Sequence, residues 1–220
     1  MDVVRLLNHA GAALPPVDHL VWGGRVLDEE IQRFQAWTGV RPVPGGRHPA
    51  EGTHNALLGL GPDMYLELIA PDPGQPPPVR ARWFGLDTLT DSRLVAWAAK
   101  SADLDRQAGA ARRAGLPLGE VRTGRRELDR GPVLSWRLTY PGVRLGSGLV
   151  PFLIDWAESP HPAQAAPGGV RLLDLRGEHP EPAAIREDVR RLGLELHVLQ
   201  GSKPALVATL DTPRGRVELR

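Results

Sequence analysis

The chain predicts an α+β fold built from repeated strand–helix–strand units, and three observations carry that prediction. A period-two stretch, "VDHLVWGG" (17–24), runs directly into a helical one, "LDEEIQRFQAWTG" (27–39). Two apolar strand-like runs, "THNALLGLG" and "MYLELIAP", follow, joined through "GPD" in a hairpin-type connection. The same order then recurs twice, from Arg93 and from Val170. One such unit cannot cover its own sheet, so repetition predicts units packed together, with helices outside and a cupped inner face left free.

The elements follow in order. "MDVVRLLNHAGAALPP" breaks its apolar residues with Asp2, Arg5 and Asn8, so residues 1–15 read as a short helix and not as a signal peptide. In the first strand, Val17, His19 and Val21 share one face while Leu20 and Trp22 share the other. The helix aligns Leu27, Ile31 and Phe34, places acids in its first turn and stops at Gly39. A Pro-rich linker, "APDPGQPPPVR", ends the first unit (about 16–72). The second (about 90–160) reads "RLVAWAAKS" as a strand, "ADLDRQAGAARRAG" as a helix and "RTGRRELDRG" as a basic loop, followed by the strands "VLSWRLTY" and "LVPFLIDWA". Residues 166–220 form a third, shorter unit packed on the same domain (16–165), with Ile185, Val189 and Leu192 aligned on its helix.

Bulk composition excludes several functions. A formal charge of +1 provides no basic field for nucleic acid. Without cysteine there is no thiol catalysis, disulfide scaffold or thiolate metal site, which fits a cytoplasmic location. No apolar run reaches the ~20 residues of a membrane span. The 22 prolines and 25 glycines fall between periodic segments, which indicates tight connections and not disorder. Phosphate-loop, dinucleotide and nucleophile-elbow motifs are all missing.

The stretch "GGRHPAEGTHNALLGLG" (45–61) concentrates histidines, an arginine, a threonine and an asparagine beside a core strand. Polar groups there must be paired or serve a ligand, since burying them unpaired costs about 1–3 kcal/mol each. A turn needs no histidines, so the stretch reads as a pocket wall with His48, His54 and Asn55 as contacts; parity leaves open which of His54 and Asn55 faces inward. The "HP" at His161 is placed to fold over the same mouth. Strand parity sends Trp22 and Trp156 toward helices and leaves Trp97 and Trp136 as stacking platforms.

The stretches "VDHLVWGG…LDEEIQRF", "GGRHPAEGTHNALLGLG", "YLELIAPDP" and "VPFLIDWAESPHP" resemble the vicinal oxygen chelate (VOC) superfamily, and within it the glyoxalase-like domain proteins. The resemblance covers residues 16–220 and implies paired βαβββ modules whose curved sheets enclose a metal or small molecule. Carried over by position, it implies a divalent metal held by His19, Glu67 and Asp155, with Glu67 also catalytic. One imidazole and two carboxylates suit Mn²⁺, Fe²⁺, Ni²⁺, Zn²⁺ or Mg²⁺. In the second module the position equivalent to His19 is Ala96, so a four-ligand site is incomplete.

The function expected is a metal-dependent lyase or isomerase acting on a small oxygen-bearing substrate, with a homodimer as its assembly. The alternative is a metal-free module of the same fold that sequesters a small molecule. For Glu67 a structural pairing with an arginine competes with the ligand role.

Overall fold

The computed structural model describes residues 14–126, 134–142 and 145–220. All but the last two residues of the helix expected at the N-terminus lie outside the described residues, as does Arg130 of the basic stretch. The strands are β1 (Val17–Gly23), β2 (Val43–His48), β3 (Thr53–Gly61), β4 (Met64–Pro71), β5 (Arg93–Lys100), β6 (Val121–Arg126), β7 (Leu134–Thr139), β8 (Phe152–Asp155), β9 (Arg171–His179), β10 (His197–Gln200), β11 (Ala205–Thr212) and β12 (Gly215–Leu219). The helices are α1 (Leu27–Thr38), α2 (Leu104–Arg113) and α3 (Pro182–Arg191).

Eight strands form one curled sheet in the order β2-β3-β4-β1-β5-β8-β7-β6. Each of the first two units closes its first strand parallel against its last, β1 on β4 and β5 on β8. The units join edge to edge through the antiparallel β1–β5 pair. This is the paired βαβββ arrangement that the resemblance to the VOC superfamily implies.

The stretch expected as a basic loop is in part the edge strand β6, paired to β7 along its whole length. Its arginines hid it, because charged residues are what an exposed sheet edge carries. A methyl group at Gly124 would come within 2.4 Å of the Trp136 indole, so this strand lies close against that ring.

The third unit forms its own sheet, ordered β10-β9-β11-β12. Here the first strand pairs parallel with the second and antiparallel with the third, a different topology from the other two units. Its apolar face shares one core with the helix-bearing side of the large sheet: Val198, Leu206 and Leu210 pack in the same cluster as Phe34, Leu66 and Trp97. Backbone bonds from Leu94 N–H to Arg220 O (3.0 Å) and from Gly59 N–H to Pro167 O (2.9 Å) tie it to the larger sheet.

A second apolar cluster lies on the opposite, cupped face, with Val21 and Ile69 from the first unit and Ala96, Ala98, Phe152 and Ile154 from the second. Among the described residues no helix is long and apolar enough to cross a membrane.

Candidate functional site

The polar stretch 45–61 folds as the β2–β3 hairpin, with Gly46 opposite Asn55, Arg47 opposite His54 and His48 opposite Thr53. That register sends Asn55 into the cup and His54 to the other side. His48 and Asn55 line a cleft with His19 and Glu67, while His54 does not. The His54 imidazole has its pKa lowered by burial, against the pull of the Asp72 and Asp28 carboxylates around it.

The cleft encloses about 460 Å³ of space free of protein atoms, its open mouth included. Its floor is polar and its walls are aromatic. The His19 ring stacks on Tyr65 at 4.6 Å between centroids and meets Phe152 edge-on at 5.5 Å. Trp136 and Trp156 form the wall on the side of the second unit, 5.4 Å apart, and Trp83 closes over His48 at 5.8 Å. The Trp83 indole N–H is buried without a hydrogen-bond partner, beside a cleft that can supply an acceptor.

Beneath this floor lies Asp18, a residue to which the sequence pattern assigned no role. An extra residue in β1 opposite β5, between Val17 and His19, bulges the strand and brings two successive side chains to one locality. Strict alternation cannot reveal such a residue, and a carboxylate next to a histidine in a buried strand was its only signal. Asp18 is 1 % exposed. It takes hydrogen bonds from His19 Nδ1 (2.7 Å), His161 Nε2 (3.2 Å) and the Trp156 indole N–H (3.1 Å). Burial alone would push its pKa up, but the bonds from His161 and His19 outweigh it and hold the carboxyl far below the usual range.

His161 therefore supports the floor from behind instead of covering the mouth. Its Nδ1 accepts from Ala163 N–H at 3.2 Å, which fixes Nε2 as the protonated nitrogen facing Asp18. By the same logic the His19 Nδ1–H points at Asp18, and its Nε2 looks across the cleft at Glu67 Oε2, 3.9 Å away. Glu67 Oε1 accepts from the Asn55 amide at 2.5 Å. Among the described residues no arginine pairs with Glu67.

Asp155 lies on the other side of the sheet. Phe152, Ile154 and Trp156 line the cleft, so the residue between the last two points toward α2. Its carboxylate accepts from Ala157 N–H at 2.8 Å. Arg137, opposite it on β7, pairs bidentately with Asp105 of α2 at 2.8 and 2.9 Å. Two of the four tryptophans, Trp97 and Trp156, also depart from their expected faces, while Trp22 packs on the helix side and Trp136 lines the cleft as expected. Trp97 is fully buried on the helix-bearing face and donates to Leu149 O at 2.9 Å, while Trp156 lines the cleft beside Trp136. Both β5 and β8 are apolar on both faces, so hydrophobicity alone does not orient them.

The donor set bears directly on a metal. His19 with Asp18 behind it has the form of a ligand with its supporting carboxylate, and Glu67 faces it. A catalytic metal usually takes three protein donors. The second unit turns only Ala96, Ala98, Phe152 and Ile154 toward the cup. Among the described residues no group of three or more histidine, aspartate or glutamate side chains is placed to hold an ion. The expected set of His19, Glu67 and Asp155 is split across the sheet, and the two residues left do not make a resident metal site.

A family model and one solved structure of similar length agree with the architecture. A family model described as "Glyoxalase-like domain" matches residues 17–193. Among solved structures, a hypothetical protein from Staphylococcus aureus superposes with a TM-score of 0.64 at 12% identity, covering 87% of this chain and 88% of that one. Methylmalonyl-CoA epimerase from Mycobacterium tuberculosis matches with a TM-score of 0.43 at 22% identity, covering 67% and 94%. No curated protein sequence matches the chain.

Proposed function

The chain belongs to the glyoxalase-like domain family of the VOC superfamily, and from that premise we propose that it is an isomerase- or lyase-type enzyme for a small oxygen-bearing molecule. In this reading Glu67 and His19 move the proton. The observation that supports it is the facing pair His19 Nε2 and Glu67 Oε2, 3.9 Å apart on the floor of an aromatic cleft. That gap is too long for a hydrogen bond between the two, yet one ligand atom at ~2.8 Å from each would close the triangle.

The chemistry follows from the partners. Asn55 occupies Oε1 of Glu67 and leaves Oε2 to take a proton from a carbon next to a carbonyl, breaking the C–H bond. The electron pair moves onto the carbonyl oxygen. There His19, protonated on both nitrogens with its Nδ1–H held by Asp18, donates from Nε2. Asp18 holds the imidazole in register and stabilises the positive charge it carries when both nitrogens are protonated. Return of the proton to the same carbon or to a neighbouring atom completes an isomerisation with no oxidant or reductant.

A second reading, a binding module without turnover, is favoured by the apolar half of the cup. Incubation with a panel of α-hydroxyketones and β-keto acids in D₂O, followed by proton NMR, separates the two. The enzyme reading expects deuterium at the carbon next to the carbonyl, with exchange falling about 10²–10⁴-fold in Glu67→Gln. Saturable binding without exchange would establish the binding module instead.

A further inference from the structure

Beside the cleft lies a second cavity of about 350 Å³ of atom-free space, its mouth included. Ala96 of β5, Leu118 before β6, and Leu145, Val150 and Pro151 before β8 form its aliphatic side. No charged side chain lines it. Its two polar side chains are already engaged: the Thr139 hydroxyl accepts from Leu153 N–H at 3.0 Å, and the Tyr140 hydroxyl donates to Glu51 at 3.4 Å. The first cleft is aromatic with a polar floor, whereas this one is mainly aliphatic. The two share Phe84, Pro141 and Phe152 as a common partition.

Backbone geometry singles out the same place. Among the described residues three non-glycines hold left-handed conformations: Phe84 (φ 57°), Ser147 (φ 58°) and Ala157 (φ 48°). Phe84 is part of the partition, and Ser147 lies in the segment between Leu145 and Gly148 that walls the second cavity. Such backbone is costly for any residue with a Cβ and persists where the surroundings enforce it.

We propose that the second cavity is the tail subsite of the molecule whose oxygen-bearing head lies between His19 and Glu67, which makes the ligand a hydroxy- or oxo-compound carrying an unbranched apolar chain. The head in this inference rests on the proton-transfer reading above; the tail rests on the cavity. The Phe84 and Phe152 rings are 5.9 Å apart and tilted by 37°. Both rings line both cavities, so a chain leaving the head enters the second cavity past this ring pair. The aliphatic wall of Ala96, Leu118, Leu145 and Val150 there suits methylenes.

The test titrates the full chain with 1-hydroxy-2-alkanones of increasing length and, in parallel, with 1-alkanols, following tryptophan fluorescence. Affinity should rise about 3- to 4-fold per added methylene until the cavity is full. Ala96→Leu, which fills the cavity from β5, should collapse the difference between long and short members. Leu118→Phe does the same from the rim and serves if the first variant loses its wild-type melting transition. Affinity independent of chain length in the wild type, a length dependence kept in the folded variants, or no binding by either series would overturn the proposal. Glu67→Gln separates the head from the tail. If it leaves hydroxyketone affinity untouched while alkanol affinity still depends on Ala96, the head reading fails and the tail subsite stands.

Discussion

The two halves of the cup are built from the same strand–helix–strand plan and carry opposite chemistry. In the first unit, β1, β3 and β4 turn His19, Asn55 and Glu67 inward above a buried Asp18. In the second, β5, β7 and β8 turn Ala96, Ala98, Trp136, Leu138, Phe152 and Ile154 inward, and the charged residues Arg137 and Asp155 face outward toward α2. The duplicated scaffold therefore supplies a polar floor from one copy and a shaped apolar wall from the other. A symmetric pair of units could have held an ion at the seam, with donors from both copies. In the proposed enzyme, this asymmetric pair leaves the proton chemistry to one copy.

The contrast breaks most directly if catalysis does not reside in the first half. Glu67→Gln should lower proton exchange about 10²–10⁴-fold. Phe152→Leu, a change of shape on the opposing half, should alter it by less than about tenfold, because it removes no proton-transfer group. Equal losses in the two variants, measured by the same deuterium exchange, would remove the distinction between floor and wall.

Asp18 gives the largest expected effect on stability. It is the shared acceptor for two imidazoles and an indole, so Asp18→Ala leaves those donors buried without their partner, at a cost of roughly 3–5 kcal/mol. The pH dependence has a definite sign. The folded carboxyl titrates below its unfolded value, so its contribution is complete above about pH 4 and is lost as pH falls further. Thermal melts at descending pH should show an acid limb in the wild type that is reduced in Asp18→Asn. An unchanged limb would place the acid sensitivity elsewhere.

How far this arrangement could be read in the sequence follows from the same contrast. The first unit alternates polar and apolar residues, so parity places His19 and Glu67 inward, as the structure does. In the second unit both faces of β5 and β8 are buried, against the helix-side core on one side and the cup on the other. With no polar face to mark solvent, "AWAA" and "FLID" carry no information about which way they point. Trp97, Trp156 and Asp155 consequently lie opposite to the faces that parity assigned. Asp18 escaped for a different reason, since a bulge breaks the alternation on which that reasoning rests. The unit order and most element positions were visible because periodicity and turn residues are local signals, but the two edge strands of the large sheet, β2 and β6, were not, since their glycines and arginines show no apolar alternation. Cup orientation is set by long-range packing.

A gain of function sharpens the comparison further. Phe152 meets the His19 ring at 5.5 Å, so Phe152→Asp would bring a carboxylate from the second half toward His19 and Glu67. The variant should gain divalent-ion binding that the wild-type donor set does not support. At an ion concentration of 100 times Kd this stabilises the fold by about 2.7 kcal/mol. Melting curves with and without Mn²⁺ or Zn²⁺ read it out. A wild-type protein that is stabilised as strongly as the variant would show that two protein donors suffice.

The smallest effect belongs to Asp155, the acid that sequence similarity pairs with Glu67. Its carboxylate holds the Ala157 N–H, and Ala157 carries a left-handed backbone (φ 48°) just after Trp156 enters the cleft wall. Asp155→Ala removes that one bond from the strand end, a loss of about 0.5–1.5 kcal/mol. The facing Arg137 keeps its bidentate partner Asp105, so no charge is left stranded. Exchange activity and any ion response should stay at wild-type levels, because nothing on this side of the sheet reaches His19 or Glu67. If Asp155→Ala instead abolished exchange as Glu67→Gln is expected to, the outward carboxylate would have to reach the cup in the working protein, and the division between reactive and passive halves would fail.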